Sequence, residues 1–150
     1  MATEPDQIDH EIVALLAANA RRSLTDIAAR VSLSTPAVKR RIARLEAEGI
    51  ITGYTTTVDH ARLGLPLEAF IELRFQGSSQ IDDLASTVAG IESVRAAWTV
   101  AGDPDMLVRV RVESVSQLQD VVNDLRKTGQ VTGTKTMVVL DAWRGPTRAV

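Results

Sequence analysis

Two hydrophobic periods divide this chain. Through Leu45 the apolar positions recur every three or four residues, the spacing of one face of a helix. Ile8, Ile12, Leu15 and Leu16 mark an opening helix, begun by Asp6 or Asp9 and ended before Arg21. Leu24, Ile27, Ala28 and Val31 mark a second, and Val38, Ile42 and Leu45 a third. From Leu67 the period drops to two. Leu67, Ala69, Ile71, Leu73 and Phe75 alternate with mostly polar residues, which predicts a half-buried strand. Gly77-Ser78-Ser79 breaks it, and Ile81, Leu84, Ala85 and Val88 give a helical stripe. Val94, Ala96, Trp98 and Val100 alternate again, as do Val108, Val110 and Val112 after a turn at Gly102-Asp103-Pro104-Asp105. Val115, Leu118, Val122 and Leu125 predict another helix, and Thr132 to Trp143 a last strand.

The second half therefore reads β-α-β-β-α-β, the ferredoxin-like order. Such a sheet carries helices on one face only. Its other face here holds much apolar surface, and self-association is an economical way to cover it. The expected organisation is α+β. Residues 1–58 form a winged helix-turn-helix domain, 59–66 a linker containing Gly64 and Pro66, and 67–150 a ferredoxin-like domain. The wing is expected as a strand pair around Gly53, between Ile50 and Val58, where Thr and Tyr are frequent.

Local signals sharpen the reading of residues 23–51. Ser23-x-x-Asp26 has the form of a capping box. Ser32-Leu33-Ser34 is short enough to set two helices at a steep angle. Ser34 or Thr35 can cap the next helix, and Pro36 sits in its first turn, where a missing N–H costs nothing. Between Ser34 and Leu45 there are four cations, Lys39, Arg40, Arg41 and Arg44, and no acid. The whole chain has a net charge of −2, so this basic helix is a local feature. It is the footprint of a helix that meets phosphates. Arg40 and Arg44 are expected to point outward, nearly opposite Val38, Ile42 and Leu45, with Lys39 and Arg41 beside them. The competing reading is a solvated charged face on an ordinary helical hairpin.

Composition narrows the chemistry. At 45% hydrophobic and 3% aromatic, the cores are aliphatic. The chain has no cysteine, which removes disulfides, thiolate catalysis and cysteine-based zinc sites and fits a cytoplasmic location. The first residues are acidic and polar, unlike a signal peptide. No apolar run approaches the roughly 20 residues that a membrane span needs. Asp103 and Asp105 could ligate Mg²⁺ or Ca²⁺, but no third acid or histidine lies near them in sequence. They fit better as turn residues bonding backbone amides, or as partners for an ammonium group. His10 and His60 read as surface residues, and Trp98 and Trp143 as core or interface residues. Neither a nucleophile motif nor a phosphate-binding glycine loop is present, so no enzyme activity, metal or cofactor is expected.

With both halves placed, the chain resembles the leucine-responsive regulatory protein/AsnC family, the feast/famine regulators. The matching residues are Leu33-Ser34-x-x-x-Val38-x-x-Arg41-Ile42-x-Arg44-Leu45-Glu46-x-x-Gly49-Ile50-Ile51, Gly102-Asp103-x-Asp105-x-Leu107-Val108 and Thr134-x-Thr136-x-Val138-Val139. The resemblance runs from about residue 6 to 143. It departs at Pro104 and Met106, where many members carry an aromatic, and that leaves the effector's identity open. The resemblance implies a transcription regulator that binds double-stranded DNA and responds to a small molecule, usually an amino acid. It implies homodimers formed through the sheets, which often assemble into octamers. Ser34, Thr35, Lys39, Arg40, Arg41 and Arg44 would contact DNA, with Lys39, Arg41 and the wing at Thr52 to Thr55 on phosphates. Gly102, Asp103, Asp105, Thr134, Thr136 and Met137 would line the effector site, which the family places between dimers. The alternatives are an architectural DNA-binding protein without effector and an enzyme of the ferredoxin-like fold.

Overall fold

The computed structural model describes residues 4–75, 86 and 88–143. The chain divides after Val58 into two compact units. The first contains three helices, α1 (Gln7–Ala18), α2 (Leu24–Arg30) and α3 (Thr35–Ala47). Each starts at a side-chain cap that satisfies an otherwise orphaned backbone N–H. Asp6 caps α1 in a full capping box with Asp9. Ser34 caps α3 by accepting from Ala37 N–H, with Pro36 in the first turn. Ser23 caps α2, but only half of the expected box forms: Ser23 accepts Asp26 N–H, while the Asp26 carboxylate goes to Arg22 and Arg30.

The turn between α2 and α3 is closed by Leu33 N–H on Ala28 O, with Ser32 at a φ of 55°. Gly49, at a φ of +72°, ends α3. Its N–H meets Glu46 O and Ile50 N–H meets Leu45 O, which is a Schellman motif and explains why a glycine stands there. The three helices close on Ile12, Ile27, Ala28, Val31, Val38 and Ile42.

The expected wing does not form as a strand pair. Residues 52–59 belong to no helix and no ladder among the described residues. Strand propensity from Thr, Tyr and Val needs a partner edge to act on, and a lone two-stranded hairpin is marginal in water. What anchors the segment is Ile51, packed on the helical core, and Tyr54, whose hydroxyl donates to Glu46 Oε1 at 2.7 Å.

The second unit, Asp59–Trp143, holds a four-stranded antiparallel sheet. Its strands are β1 (Leu67–Phe75), β2 (Val94–Thr99), β3 (Met106–Val112) and β4 (Val131–Val138), with α4 (Val115–Lys127) between the last two. Their spatial order is β2-β3-β1-β4, the ferredoxin-like arrangement. Ala69, Ile71 and Leu73 of β1 and Met106, Val108, Val110 and Val112 of β3 face α4. There they bury Leu118, Val121, Val122 and Leu125. The expected helix on Ile81, Leu84, Ala85 and Val88 lies largely outside the described residues. Of these four only Val88 is described, helical and fully buried in the core.

Two strand-level expectations change. β4 ends at Val138 rather than at Trp143, where its ladder to β1 closes. Ala69 pairs with Val138 and Glu68 O takes Val139 N–H. Beyond that point Leu140 and Trp143 are 95% and 88% exposed, so Trp143 is not a core residue. The sheet face opposite α4 is also less apolar than expected. Phe70, Trp98, Leu107 and Met137 are interleaved there with Glu68, ion-paired to Arg109 and Arg111, and with Glu72 beside Lys135.

Candidate nucleic-acid interface and effector site

The third helix sorts its four cations into two pairs. Lys39 and Arg40 are exposed. Arg41 and Arg44 are drawn back to the first turn of α1. Arg41 Nη1 donates to Asp6 Oδ2 and to Asp9 Oδ1, both at 2.8 Å, and Arg44 Nη2 donates to Asp9 Oδ2. Asp9 is wholly shielded from solvent, whereas the Arg41 and Arg44 side chains keep 25% and 31% of their exposure. The carboxylate therefore lies just beneath the surface, roofed by two guanidiniums.

The charges of this cluster reinforce one another. Burial works against the ionised Asp9, but the N–H of Asp6 and then the two guanidiniums outweigh it and hold its pKa below the ordinary carboxylate value. Asp6 is lowered mainly by the Asp9 N–H and then by Arg41. Arg41 is raised in turn, first by Asp6 and then by Asp9.

This corrects the expectation that all four cations point outward. At 3.6 residues per turn, Arg41 lies only about 60° around the helix from Val38 and Arg44 about 120°, whereas Arg40 lies about 160° away. Arg41 thus sits at the margin of the buried stripe, within reach of a neighbouring helix. Sequence reasoning missed Asp6 and Asp9 as partners. The available signal was an acid pair three apart at a helix start, matched by an arginine pair three apart beside an apolar stripe. Of the other nominated residues, Ser34 is the cap and Thr35 the first helical residue, on the same end of α3 as Lys39 and Arg40. No acid occupies that first turn, so the partial positive charge of the helix start stays unopposed.

In the second unit the nominated effector residues fall into three places. Gly102 has a φ of +127°, a conformation glycine tolerates, with open space where a Cβ would stand. Backbone geometry, not crowding, requires it. The following Asp103–Pro104 bond is cis. Asp103 accepts from Arg74 Nε at 2.7 Å and Nη2 at 3.2 Å. Asp105 Oδ2 accepts Phe75 N–H at 2.8 Å, and Asp105 N–H donates to Leu73 O. The two acids thus point to separate partners at the end of β1 and do not converge as metal ligands would.

Thr134 and Thr136 lie on the helix side of β4, opposite Leu73 and Ile71. They border a shallow groove of about 270 Å³ together with Val115, Gln119, Val122 and Arg126. Arg126 Nε donates to Thr134 Oγ1 at 3.0 Å. Met137 pairs with Phe70 on the opposite face of the sheet, so it does not share that groove. Among the described residues no helix is long and apolar enough to cross a membrane.

Comparison with known proteins covers both units. Residues 6–46 match the AsnC-type helix-turn-helix domain, and residues 68–147 match the Lrp/AsnC ligand binding domain. The HTH-type transcriptional regulator LrpA of Mycobacterium tuberculosis is 34% identical over 134 residues, 89% of each chain. A feast or famine regulatory protein of M. tuberculosis, solved in complex with L-methionine, superposes with a TM-score of 0.87 at 34% identity, covering 93% of this chain and 95% of that one. A transcriptional regulator of Neisseria meningitidis, also solved with L-methionine, gives a TM-score of 0.89 at 25% identity over 96% and 95% of the two chains.

Proposed function

This chain belongs to the Lrp/AsnC family of transcriptional regulators, and we propose that it binds operator DNA in the cytoplasm through the start of α3. The observation that carries this is the exposed pair Lys39 and Arg40 on a helix whose opposite face is buried. In a helix-turn-helix the N-terminal residues of the second helix enter the major groove. Ser34, Thr35 and Arg40 stand at that end, and Lys39 and the Thr52 to Thr55 segment reach phosphates. Arg41 and Arg44 are engaged by α1 instead.

The regulator responds to a small molecule, an amino acid, in this reading. The support is the L-methionine carried by two of its structural relatives and the form of the loop Gly102–Asp105. Asp105 is oriented by the Phe75 N–H on Oδ2. A carboxylate oxygen so placed suits an ammonium group, which must be paired when it is desolvated. Thr134 and Thr136 lie with Arg126 in a separate groove, so an effector site that joins them to Asp105 draws on more than one protomer. Homodimers form through the sheet face bearing Phe70, Trp98, Leu107 and Met137, and dimers assemble further into octamers.

Footprinting of the protein on DNA selected from a random duplex library tests the function. Protection of two half-sites about 34–36 Å apart, or a multiple of it, is expected of a dimeric helix-turn-helix. A chain that protects no selected sequence would refute DNA reading by α3.

A further inference from the structure

The acids of α1 and the cations of α3 meet at a point where DNA charge is also counted. We propose that Asp6 and Asp9 are positioning residues for DNA binding: they hold Arg41 and Arg44 out of the phosphate contacts and so set the charge that α3 presents. The inference rests on the reading that α3 meets DNA.

Three observations carry it. First, a carboxylate and a phosphate offer a guanidinium the same two-oxygen geometry, so they compete for it. Here the carboxylates already hold both arginines, Arg41 from two sides. Second, a phosphate that drew Arg41 and Arg44 away would leave Asp9, which is shielded from solvent, as a buried unpaired charge. Third, Asp9 is fixed against retreat. Its carboxylate also accepts Asp6 N–H at 3.0 Å, and its N–H donates to Asp6 Oδ1 at 2.9 Å, so the acid pair is built into the cap of α1. The four cations of α3 thus face DNA as two exposed cations with no acidic partner among the described residues and two neutralised ones. The neutralised pair fixes the seat of α3 on α1 and aims Lys39 and Arg40.

The salt dependence of DNA binding reads this charge directly, and a merely structural strut would not move it. Each cation that meets a phosphate of duplex DNA adds about 0.9 to the slope of log K against log salt. Asp6→Asn is the first variant. Asparagine caps a helix as well as aspartate and keeps an acceptor for Asp9 N–H, so the fold is retained while one negative charge is removed. Asp9→Asn is the second. Binding to a random-sequence duplex would be followed by fluorescence anisotropy across a salt series, with circular dichroism to confirm folding.

Asp6→Asn is expected to bind the random duplex more tightly at low salt, with a slope steeper by about 0.9 per recognition helix. Adding Arg41→Met to it should return the slope to the wild-type value. A folded Asp6→Asn whose slope equals that of wild type would overturn the inference, even if Asp9→Asn failed to fold. An unchanged slope in a chain whose binding still depends on Arg40 counts against this inference alone. Binding that never depended on Arg40 counts against the premise.

Discussion

Replacing Asp9 with alanine tests the packing account of the helix-turn-helix. The change removes a shielded carboxylate and leaves two partly covered guanidiniums facing each other. Breaking a buried ion pair by deleting one partner costs about 3–5 kcal/mol. Two features pull the cost toward the lower end. Arg41 and Arg44 retain a quarter to a third of their exposure and can rehydrate, and Arg41 keeps Asp6 as a partner. One feature adds to it: Asp6 N–H loses its acceptor, worth about 0.5–1.5 kcal/mol. The expected loss is about 3 kcal/mol, a large share of the stability of so small a unit. Urea unfolding resolves it, because both tryptophans lie in the second unit while three of the helices lie in the first. Far-UV circular dichroism should show an earlier transition in Asp9→Ala, with tryptophan fluorescence following the second unit separately. An Asp9→Ala helix transition within about 0.5 kcal/mol of wild type, the range of an ordinary surface change, would refute the argument.

Further outcomes follow from the same geometry. Asp6 and Asp9 have folded pKa values below their ordinary value of 3.8, so their stabilisation is fully present above that pH and is lost as the pH falls through the lowered folded values. Acid titration should therefore destabilise wild type more steeply below pH 3.8 than it does Asp9→Asn. Gly49→Ala meets no neighbour within 4 Å but must hold a φ of +72°, so thermal melts should show a loss of about 1–2 kcal/mol, from backbone strain alone. Asp105→Asn keeps an oxygen for Phe75 N–H and removes the charge. Calorimetric titration with the best ligand from a screen of the twenty amino acids should show sharply weaker binding than wild type at unchanged fold, and equal affinities would make Asp105 a turn residue only.

The features that were legible in the sequence are those set within a turn of chain. Ser34 and Pro36 at the start of α3 and the alternation along β1 each act on near neighbours. What stayed hidden depends on distant partners. Arg41 and Arg44 find their acids 32 to 35 residues away, so a helical wheel drawn for α3 alone turns Arg44 outward. The end of β4 falls where its ladder to β1 closes, at the Ala69–Val138 pair, and the strand propensity of β4 itself does not mark that point. The wing fails for the same reason, since residues 52–59 carry strand propensity with no edge beside them. In the second unit, alternation alone was enough to predict that Thr134 and Met137 would take opposite faces. The family pattern instead grouped them as one site.

In the proposed function α3 meets DNA through Lys39 and Arg40. Affinity for the selected operator, measured by anisotropy for Arg40→Ala beside wild type, tests it most directly. Arg40 is exposed and, among the described residues, joins no ion pair, so the variant should fold normally. A loss of about 1–3 kcal/mol in operator binding is predicted if its guanidinium reads a guanine. Wild-type affinity of folded Arg40→Ala for both operator and random DNA would contradict the account.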